Sequence, residues 1–154
     1  MAKGVYTEIL HVPIRDVWAF VSDLNQWAPL MPGYVDHHIL NDQESIWDFI
    51  ADVGFKKKRL QVKVVITEWQ EPSRIRFQLS GWNEAFIGEG MFTAEDVTAH
   101  STKMIGHLEM KTKGVKAPVI NGILKSIVPQ QTKKLTKTMA SQIVKRNYVA
   151  TTTS

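Results

Sequence analysis

Apolar and polar residues alternate along much of the chain, and this alternation predicts a series of β-strands. Between residues 44 and 53, for example, apolar side chains alternate with Asp48 and Asp52. A period of two places successive side chains on opposite faces of a strand. The predicted strands, which are separated by turn residues, lie at 4–12, 34–41, 44–53, 58–70, 74–80, 85–95 and 99–111. So many consecutive strands with one apolar face favour an antiparallel meander that buries that face.

Two other segments have helical spacing. After Pro13, apolar residues recur every three or four positions as far as Leu24, which predicts a short helix between the first two strands. The segment 118–147 predicts a long amphipathic helix with lysines on its polar face. Its apolar face consists of Leu124, Val128, Leu135, Met139 and Ile143. Proline lacks the N–H that a helix interior requires, so Pro129 is expected to kink or split this helix.

The order of elements predicts an α+β fold: a strand, a short helix, six strands and a long helix. One helix of about 30 residues is near 45 Å long and could lie across the concave face of a seven-stranded curved sheet. We expect residues 1–150 to form a single domain and residues 151–154 to be a frayed tail. A single helix is too narrow to fill so wide a concave face. The inner side chains therefore either meet as core or leave a cavity.

Composition narrows the classes of function. The chain has 154 residues, of which 44% are hydrophobic and 22% charged, as in one globular domain. It has no cysteine, which excludes disulfides, thiol nucleophiles and thiolate metal sites. The first residues do not resemble a signal peptide and no apolar run is long enough to span a membrane, so we expect a cytoplasmic protein. A net charge of +4 without a recognised motif does not indicate nucleic-acid binding.

Four segments resemble the START-like helix-grip superfamily, also called SRPBCC, and more narrowly its CoxG-like branch, which is associated with carbon monoxide dehydrogenase. They are "IRDVWAFVSDLNQWAPLMPGY" (14–34), "ITEWQEPSRIRFQLSG" (66–81), Gly88-x-Gly90-x-Phe92 and "VINGILKSIVPQQT" (119–132). The resemblance extends over about residues 4–147. It implies a seven-stranded sheet wrapped around the C-terminal helix, with an apolar cavity between them. It also implies a lipid, quinone or similar metabolite as ligand, and a carrier or accessory role for a redox enzyme of the carbon monoxide dehydrogenase type. Neither a cofactor nor a metal is implied.

The candidate ligand-binding residues are those that the alternation turns towards the long helix, together with the apolar side chains of the segment 25–34. For any one of the strand residues, a place in the ordinary core is favoured over contact with a ligand, and both interpretations remain open. The candidates are Trp27, Leu30, Met31, Tyr34, Trp47, Phe49, Leu60, Val62, Val64, Phe77, Leu79, Phe86, Gly88, Gly90, Phe92, Met104, Leu108, Leu124, Val128, Leu135 and Met139.

The alternative function is that of a polyketide cyclase or aromatase, which would use inward-facing titratable groups for acid–base catalysis in the same cavity. Tyr6, Glu8 and Glu84 are the available groups, but no catalytic residue is assigned because no serine–histidine–acid set is recognisable. No metal site is predicted either. The adjacent His37 and His38 point to opposite faces of a strand, and no histidine stands at ligand spacing from an acid.

Charged residues provide the remaining expectations. Asp48 and Asp52 alternate away from the apolar residues and are expected on the solvated outer face. The cationic run 56–59 and the lysines at 111, 113 and 116 could attract an anionic membrane surface at about 1 kcal/mol per charge, but a solvated surface that keeps the protein soluble is the favoured explanation. A transient contact with a membrane surface or a redox enzyme is thus a further expectation. The oligomeric state is left open.

The segment "NQWAPLMPGY" (25–34) is too apolar for an ordinary loop and contains two prolines and a glycine. In the fold implied by the resemblance, this connection lies at one end of the sheet, beside the cavity opening. It is expected to be either a hydrophobic gate that opens for a ligand or a plug that closes the core permanently.

Overall fold

The sheet has seven antiparallel strands, as the alternation predicts. The structure, a computed structural model, describes residues 2–52, 57–81, 85–114 and 117–152. The strands are β1 (Ala2–Leu10), β2 (Tyr34–Ile39), β3 (Glu44–Asp52), β4 (Lys57–Gln70), β5 (Arg74–Gly81), β6 (Phe86–Thr98) and β7 (Ser101–Thr112). Their order in the sheet is β1-β7-β6-β5-β4-β3-β2. Strands β2 to β7 form the predicted meander, and β1 pairs with β7 at one edge.

Short helices connect the first two strands, and a long helix follows the last one. They are α1 (Ile14–Val21), α2 (Leu24–Trp27), a single 3₁₀ turn (Ala28–Leu30) and α3 (Ala117–Thr152). Asp23 caps α2, since its carboxylate accepts a hydrogen bond from the backbone N–H of Asn25 at 3.1 Å. The curved sheet and the long C-terminal helix confirm the predicted helix-grip α+β fold. None of the described helices is both long and apolar enough to cross a lipid bilayer.

Helix α3 differs from its prediction near Pro129 and at its end. It runs without interruption through Pro129, so the expectation that this residue splits the helix is wrong. The missing N–H costs one intrahelical hydrogen bond, and the packing of the helix on β1 and β7 offsets that cost. The helix also includes Thr151 and Thr152 of the predicted tail, while residues 153–154 lie outside the described part of the chain.

Glycines bring the backbone of the sheet close to α3. A Cβ atom on Gly4 of β1 would lie 2.3 Å from the hydroxyl of Thr132, and one on Gly106 of β7 would lie 2.2 Å from the hydroxyl of Thr136. Each hydroxyl donates to the carbonyl four residues earlier in α3, at 2.7 Å, so neither is left unpaired in this tight contact. Helix α3 is therefore seated on the β1–β7 edge, and the inner face of β3 to β6 needs another cover.

Candidate functional site

Trp27 covers the centre of the concave face. Its side chain is only 1% exposed, and its indole N–H donates to the carbonyl of Val21 at 2.9 Å. Its ring centroid lies 5.3 Å from that of Trp47, 5.9 Å from Phe77 and 5.2 Å from Phe92. Two of these contacts are edge-on, a favourable geometry for aromatic pairs. The inner side chains of the middle strands thus meet beneath Trp27 as a packed core.

The turn that carries Trp27 is held in place by its neighbours. Gln26 donates to the carboxylate of Asp23 at 3.1 Å and accepts a hydrogen bond from Arg146 of α3. The guanidinium of Arg146 also lies 5.1 Å from the ring centroid of Phe20 in α1. These contacts join α1, α2 and the C-terminal half of α3. In this structure Trp27 is consequently a plug of the core.

A small cavity remains at the α1 end of the sheet. It has a volume of about 10 Å³, and its lining includes Val17, Trp18, Phe92 and Met104. This volume is about that of one water molecule, so the cavity does not accommodate a metabolite.

The predicted ligand-binding residues separate into two groups. The buried group consists of Trp27, Trp47, Val62, Val64, Phe77, Phe86, Gly88, Gly90, Phe92, Met104, Val128, Leu135 and Met139. The partly exposed group consists of Leu30, Met31, Tyr34, Phe49, Leu60, Leu79, Leu108 and Leu124. The first group forms the core and the floor beneath any ligand. Only the second group is open to contact with one in this conformation.

In the described part of the chain, nine partly exposed hydrophobic residues pack on the edge of the core, and we call the six of them that were predicted to bind a ligand the rim. They are Leu30, Met31, Tyr34, Phe49, Leu60 and Leu79. Tyr34 on β2, Phe49 on β3 and Leu60 on β4 are register partners across three adjacent strands. Since all six are apolar or aromatic, the rim is a partly exposed apolar edge of the core.

The first turns of α3 lie at the same end of the molecule, because the helix follows directly after β7. Asn121 fixes them to that strand: its side-chain oxygen accepts from the N–H of Thr112 at 2.8 Å, and its amide donates to the carbonyl of Thr112 at 3.3 Å. Val119 on these turns is 65% exposed. The N-terminal part of α3 therefore adds a further apolar residue that solvent reaches.

The glycines of β6 allow atoms of the neighbouring strands to pack closely against this strand. A Cβ atom on Gly90 would lie 2.1 Å from the ring of Phe77, and one on Gly88 would lie 2.5 Å from the carbonyl oxygen of Glu109. The absence of a side chain at Gly90 lets Phe77 of β5 lie across β6. A bulky residue at either glycine would therefore disturb the core before it filled any ligand space.

A polar cluster lies next to the rim. The hydroxyl of Tyr34 is 2.6 Å from Nδ1 of His37, and Nε2 of His37 is 2.7 Å from the side-chain oxygen of Asn25. The His37 ring centroid is 6.2 Å from that of Trp47, which places the imidazole on the concave side of β2. Burial, and to a lesser extent the negative charge of Asp36, raise the pKa of Tyr34.

The sequence did not predict this cluster. Residues three apart in a regular strand face opposite sides, so Tyr34 and His37 were not expected to meet. A register shift between Tyr34 and Asp36 breaks the alternation and puts both side chains on one face. The bulge has no reliable mark in the sequence. His37 and His38 do face opposite sides, as predicted.

The groups considered for an enzyme lie elsewhere or outside the described residues. The hydroxyl of Tyr6 donates to the carboxylate of Glu8 at 3.1 Å, on the face of β1 that looks towards α3. The ammonium group of Lys133, an exposed residue, lies 5.7 Å from the Tyr6 ring centroid, so this pair belongs to the β1 edge and not to the rim. Glu84 lies outside the described residues, as do Lys56 and Lys116.

Asp48 differs from its prediction. It lies on the face opposite Trp47, as expected, but it is only 9% exposed, so its carboxylate is not on a freely solvated surface. Its register partners are Asp36 on β2 and Gln61 on β4, and the two neighbouring strands cover it from both sides. Within the described ranges, no three potential metal-ligating side chains come together.

The curved sheet, the long helix and the apolar opening define the START-like, or SRPBCC, class of proteins. A family model matches residues 3–147 of the chain. The likeness to solved START structures shows that the chain has the START-like fold.

Three solved structures illustrate the similarity. A conserved protein from Geobacillus kaustophilus has a TM-score of 0.73 at 13% identity, over 93% of this chain and 95% of that chain. A START superfamily protein from Mycobacterium smegmatis has a TM-score of 0.68 at 16% identity, over 93% and 97%. The Zhui aromatase/cyclase from a Streptomyces species has a TM-score of 0.55 at 17% identity, over 96% and 87%. At these identities the likeness concerns the fold. No curated protein matches the chain.

Proposed function

We propose that the protein is a cytoplasmic carrier or accessory protein that binds a hydrophobic small molecule, such as a lipid or quinone-like metabolite, at the rim. The observation that carries this proposal is the partial exposure of six apolar and aromatic residues at the edge of the packed core. Three of them, Tyr34, Phe49 and Leu60, are neighbours on adjacent strands. Grouped apolar side chains that solvent reaches can mark a binding site. The START-like fold supports the same class of ligand.

The ligand would lie on the rim with the core beneath it. Trp27 then forms the floor, because moving it would break its hydrogen bond to Val21 and its contacts with three aromatic rings. If the ligand loses about 300 Å² of apolar surface to the rim, at about 25 cal/mol per Å², the gross gain is about 7 kcal/mol before the costs of association. Reversible burial of this size suits a carrier, which has to release its ligand.

The test is native mass spectrometry of protein purified without detergent, followed by extraction and identification of any bound molecule. We expect a co-purifying hydrophobic molecule in the wild type and its loss from Leu79→Glu, which places a charge in the rim. Ile9→Glu is the matched control, because Ile9 is an exposed apolar residue of β1 away from the rim. Equal ligand occupancy in both variants, with both folded, would contradict a site at the rim.

A second candidate function is that of a cyclase- or aromatase-like enzyme. The observation that favours it is the hydrogen-bonded pair of Tyr34 and His37, two titratable groups beside the rim. Such a pair could carry a proton between a bound ligand and the imidazole. Incubation with an aromatic polyketide precursor tests this function. Product formed by the wild type and not by His37→Leu would favour the enzyme, and unchanged precursor would favour the carrier.

The narrower family assignment suggests a partner. If the chain belongs to the CoxG-like branch, it would serve a redox enzyme of the carbon monoxide dehydrogenase type by carrying a ligand to or from it. Genes for a molybdenum hydroxylase beside the gene for this protein would support the assignment. Co-elution of the two purified proteins would establish the contact, and failure to co-elute with or without ligand would count against it.

A further inference from the structure

We infer that the oxygen of Tyr34 is the polar anchor of the rim, and that it accepts a hydrogen bond from a hydroxyl group of the ligand. The ligand class is then a hydroxylated hydrophobe, such as a phenol or a bulky alcohol. This inference rests on the proposed function, because it assigns the chemistry of the molecule that binds at the rim. It follows from the direction of the hydrogen bonds in the Asn25–His37–Tyr34 cluster.

For a neutral imidazole, the direction follows from the orientation of the Asn25 amide, which turns its oxygen towards His37. The side-chain oxygen that Asn25 presents to His37 can only accept, so Nε2 of His37 carries the hydrogen of the 2.7 Å contact. A neutral imidazole has one N–H, and Nδ1 is then an acceptor. The hydroxyl of Tyr34, 2.6 Å from Nδ1, has to be the donor in that contact. Its single hydrogen is committed to His37, while the lone pairs of its oxygen remain available.

The position of Tyr34 makes this oxygen relevant to a ligand. Tyr34 belongs to the rim and is partly exposed, and its register partner Phe49 is a rim residue as well. His37 is held on its other side by Asn25, from the start of α2, and by the ring of Trp47. The hydroxyl is thus held rigidly by protein on one side and borders an apolar surface on the other.

Acceptor-only ligands are disfavoured by the same arrangement. A ketone or ether oxygen would face the lone pairs of Tyr34 unless the hydroxyl hydrogen turned away from His37, which would leave Nδ1 without a partner. A ligand hydroxyl can donate to Tyr34 with no such rearrangement. One hydrogen bond of ordinary strength corresponds to a preference of about threefold to tenfold.

Three probes of similar shape test this. They are 2-naphthol, which can donate, 2-methoxynaphthalene, which can only accept, and 2-ethylnaphthalene, which can do neither. Their affinities are measured by reverse titration calorimetry, with protein injected into dilute probe. In the wild type we expect 2-naphthol to bind about threefold to tenfold more tightly than the other two. Tyr34→Phe should remove this preference, and Tyr6→Phe, which removes a hydroxyl at the β1 edge, should keep it.

His37→Leu provides a readout that a merely structural role would not change. Without the imidazole, the Tyr34 hydrogen is free to donate to a ligand, so binding of 2-methoxynaphthalene should strengthen relative to 2-ethylnaphthalene. Near-UV circular dichroism checks that each variant keeps its packed aromatic core. If the ratio of the affinities for 2-methoxynaphthalene and 2-ethylnaphthalene were the same in this variant as in the wild type, the assigned hydrogen-bond direction would be overturned.

The remaining outcomes separate the two proposals. If all three probes bind equally in the wild type, and Leu79→Glu abolishes their binding, the rim site stands and the Tyr34 anchor is wrong. If 2-naphthol keeps its advantage in Tyr34→Phe, the anchor is also wrong. If no probe binds to the wild type, both the rim site and the anchor are overturned.

Discussion

Gly106 of β7 lies directly against Thr136 of α3, and a Cβ atom on the glycine would come within 2.2 Å of the threonine hydroxyl. At such a short distance the helix or the sheet would have to shift to make room for the added atom. We expect Gly106→Ala to lower the free energy of unfolding by about 1–3 kcal/mol, as overpacking commonly does. Urea denaturation measures the change, with the m-value showing whether the unfolding remains two-state.

Gly122→Ala is the matched control for Gly106→Ala. Gly122 lies within α3, and a Cβ atom there would have no neighbour within 4 Å. Alanine in a helix interior should stabilise by about 0.4–1 kcal/mol, because it restricts the unfolded chain. If Gly106→Ala proved as harmless as Gly122→Ala, the close seating of α3 on β7 would be wrong.

Trp27 offers a direct test of the plug. Its replacement by alanine removes a fully buried indole and should cost about 3–5 kcal/mol of folding free energy. Trp27→Phe keeps most of the ring contacts but loses the hydrogen bond to Val21, so it should cost less. Thermal denaturation of both variants shows which of them loses more stability. A gate that is normally open would instead show little loss in either variant.

The two alternatives for the segment 25–34 also differ in their effect on ligand binding. Where Trp27 is the floor of the site, Trp27→Ala leaves a cavity in the core, and small apolar probes should bind there in addition to the rim. Calorimetry with 2-ethylnaphthalene would then show higher capacity than in the wild type. Where Trp27 is the moving part of a gate, its removal should speed uptake without raising capacity.

Gly33 tests the turn that leads into β2. Its φ of +80° lies in the left-handed region, and a Cβ atom would lie 2.1 Å from the carbonyl oxygen of Ile50. Both strain and collision should make Gly33→Ala destabilising by about 1–3 kcal/mol. Gly114 also has a positive φ, of +109°, but has no neighbour within 4 Å, so Gly114→Ala isolates the cost of strain alone. Denaturation midpoints that were equal for the two variants would argue against the contact with Ile50.

The strands of the sheet could be predicted from the sequence because the alternation that marks a strand involves only residues close together in the chain. Trp47 and Asp48 show this: a strand period of two separates their faces, and the structure agrees. The turn residues between strands fix the meander order in the same way. The pairing of β1 with β7 is not local, and the alternation of apolar and polar residues does not predict it.

The candidate site could be predicted only in part. Apolar periodicity identifies the inner residues but does not say which of them solvent reaches, because that depends on where Trp27 and α3 settle. Periodicity therefore assigns Leu60 and Val64 the same role, although Leu60 lies on the rim and Val64 in the core. The meeting of Tyr34 with His37 depends on a bulge of one residue, and a pattern based on regular strands places them apart.

The stability of the protein should fall under mildly acidic conditions, and His107 should be a cause of that fall. Burial lowers the pKa of His107, the charge of Lys3 adds to this, and Glu109 opposes it. Because the folded-state pKa lies below the unfolded-state pKa, the unfolded chain binds the proton more readily. Stability is therefore lost as the pH falls from the ordinary histidine pKa, about 6.5, towards the folded-state pKa. His107→Gln removes the titration, and its free energy of unfolding should depend less on pH between about 7 and 5. Urea denaturation at a series of pH values measures this dependence, with His100→Gln as a control on an exposed turn. Parallel pH profiles for the wild type and His107→Gln would contradict the lowered pKa.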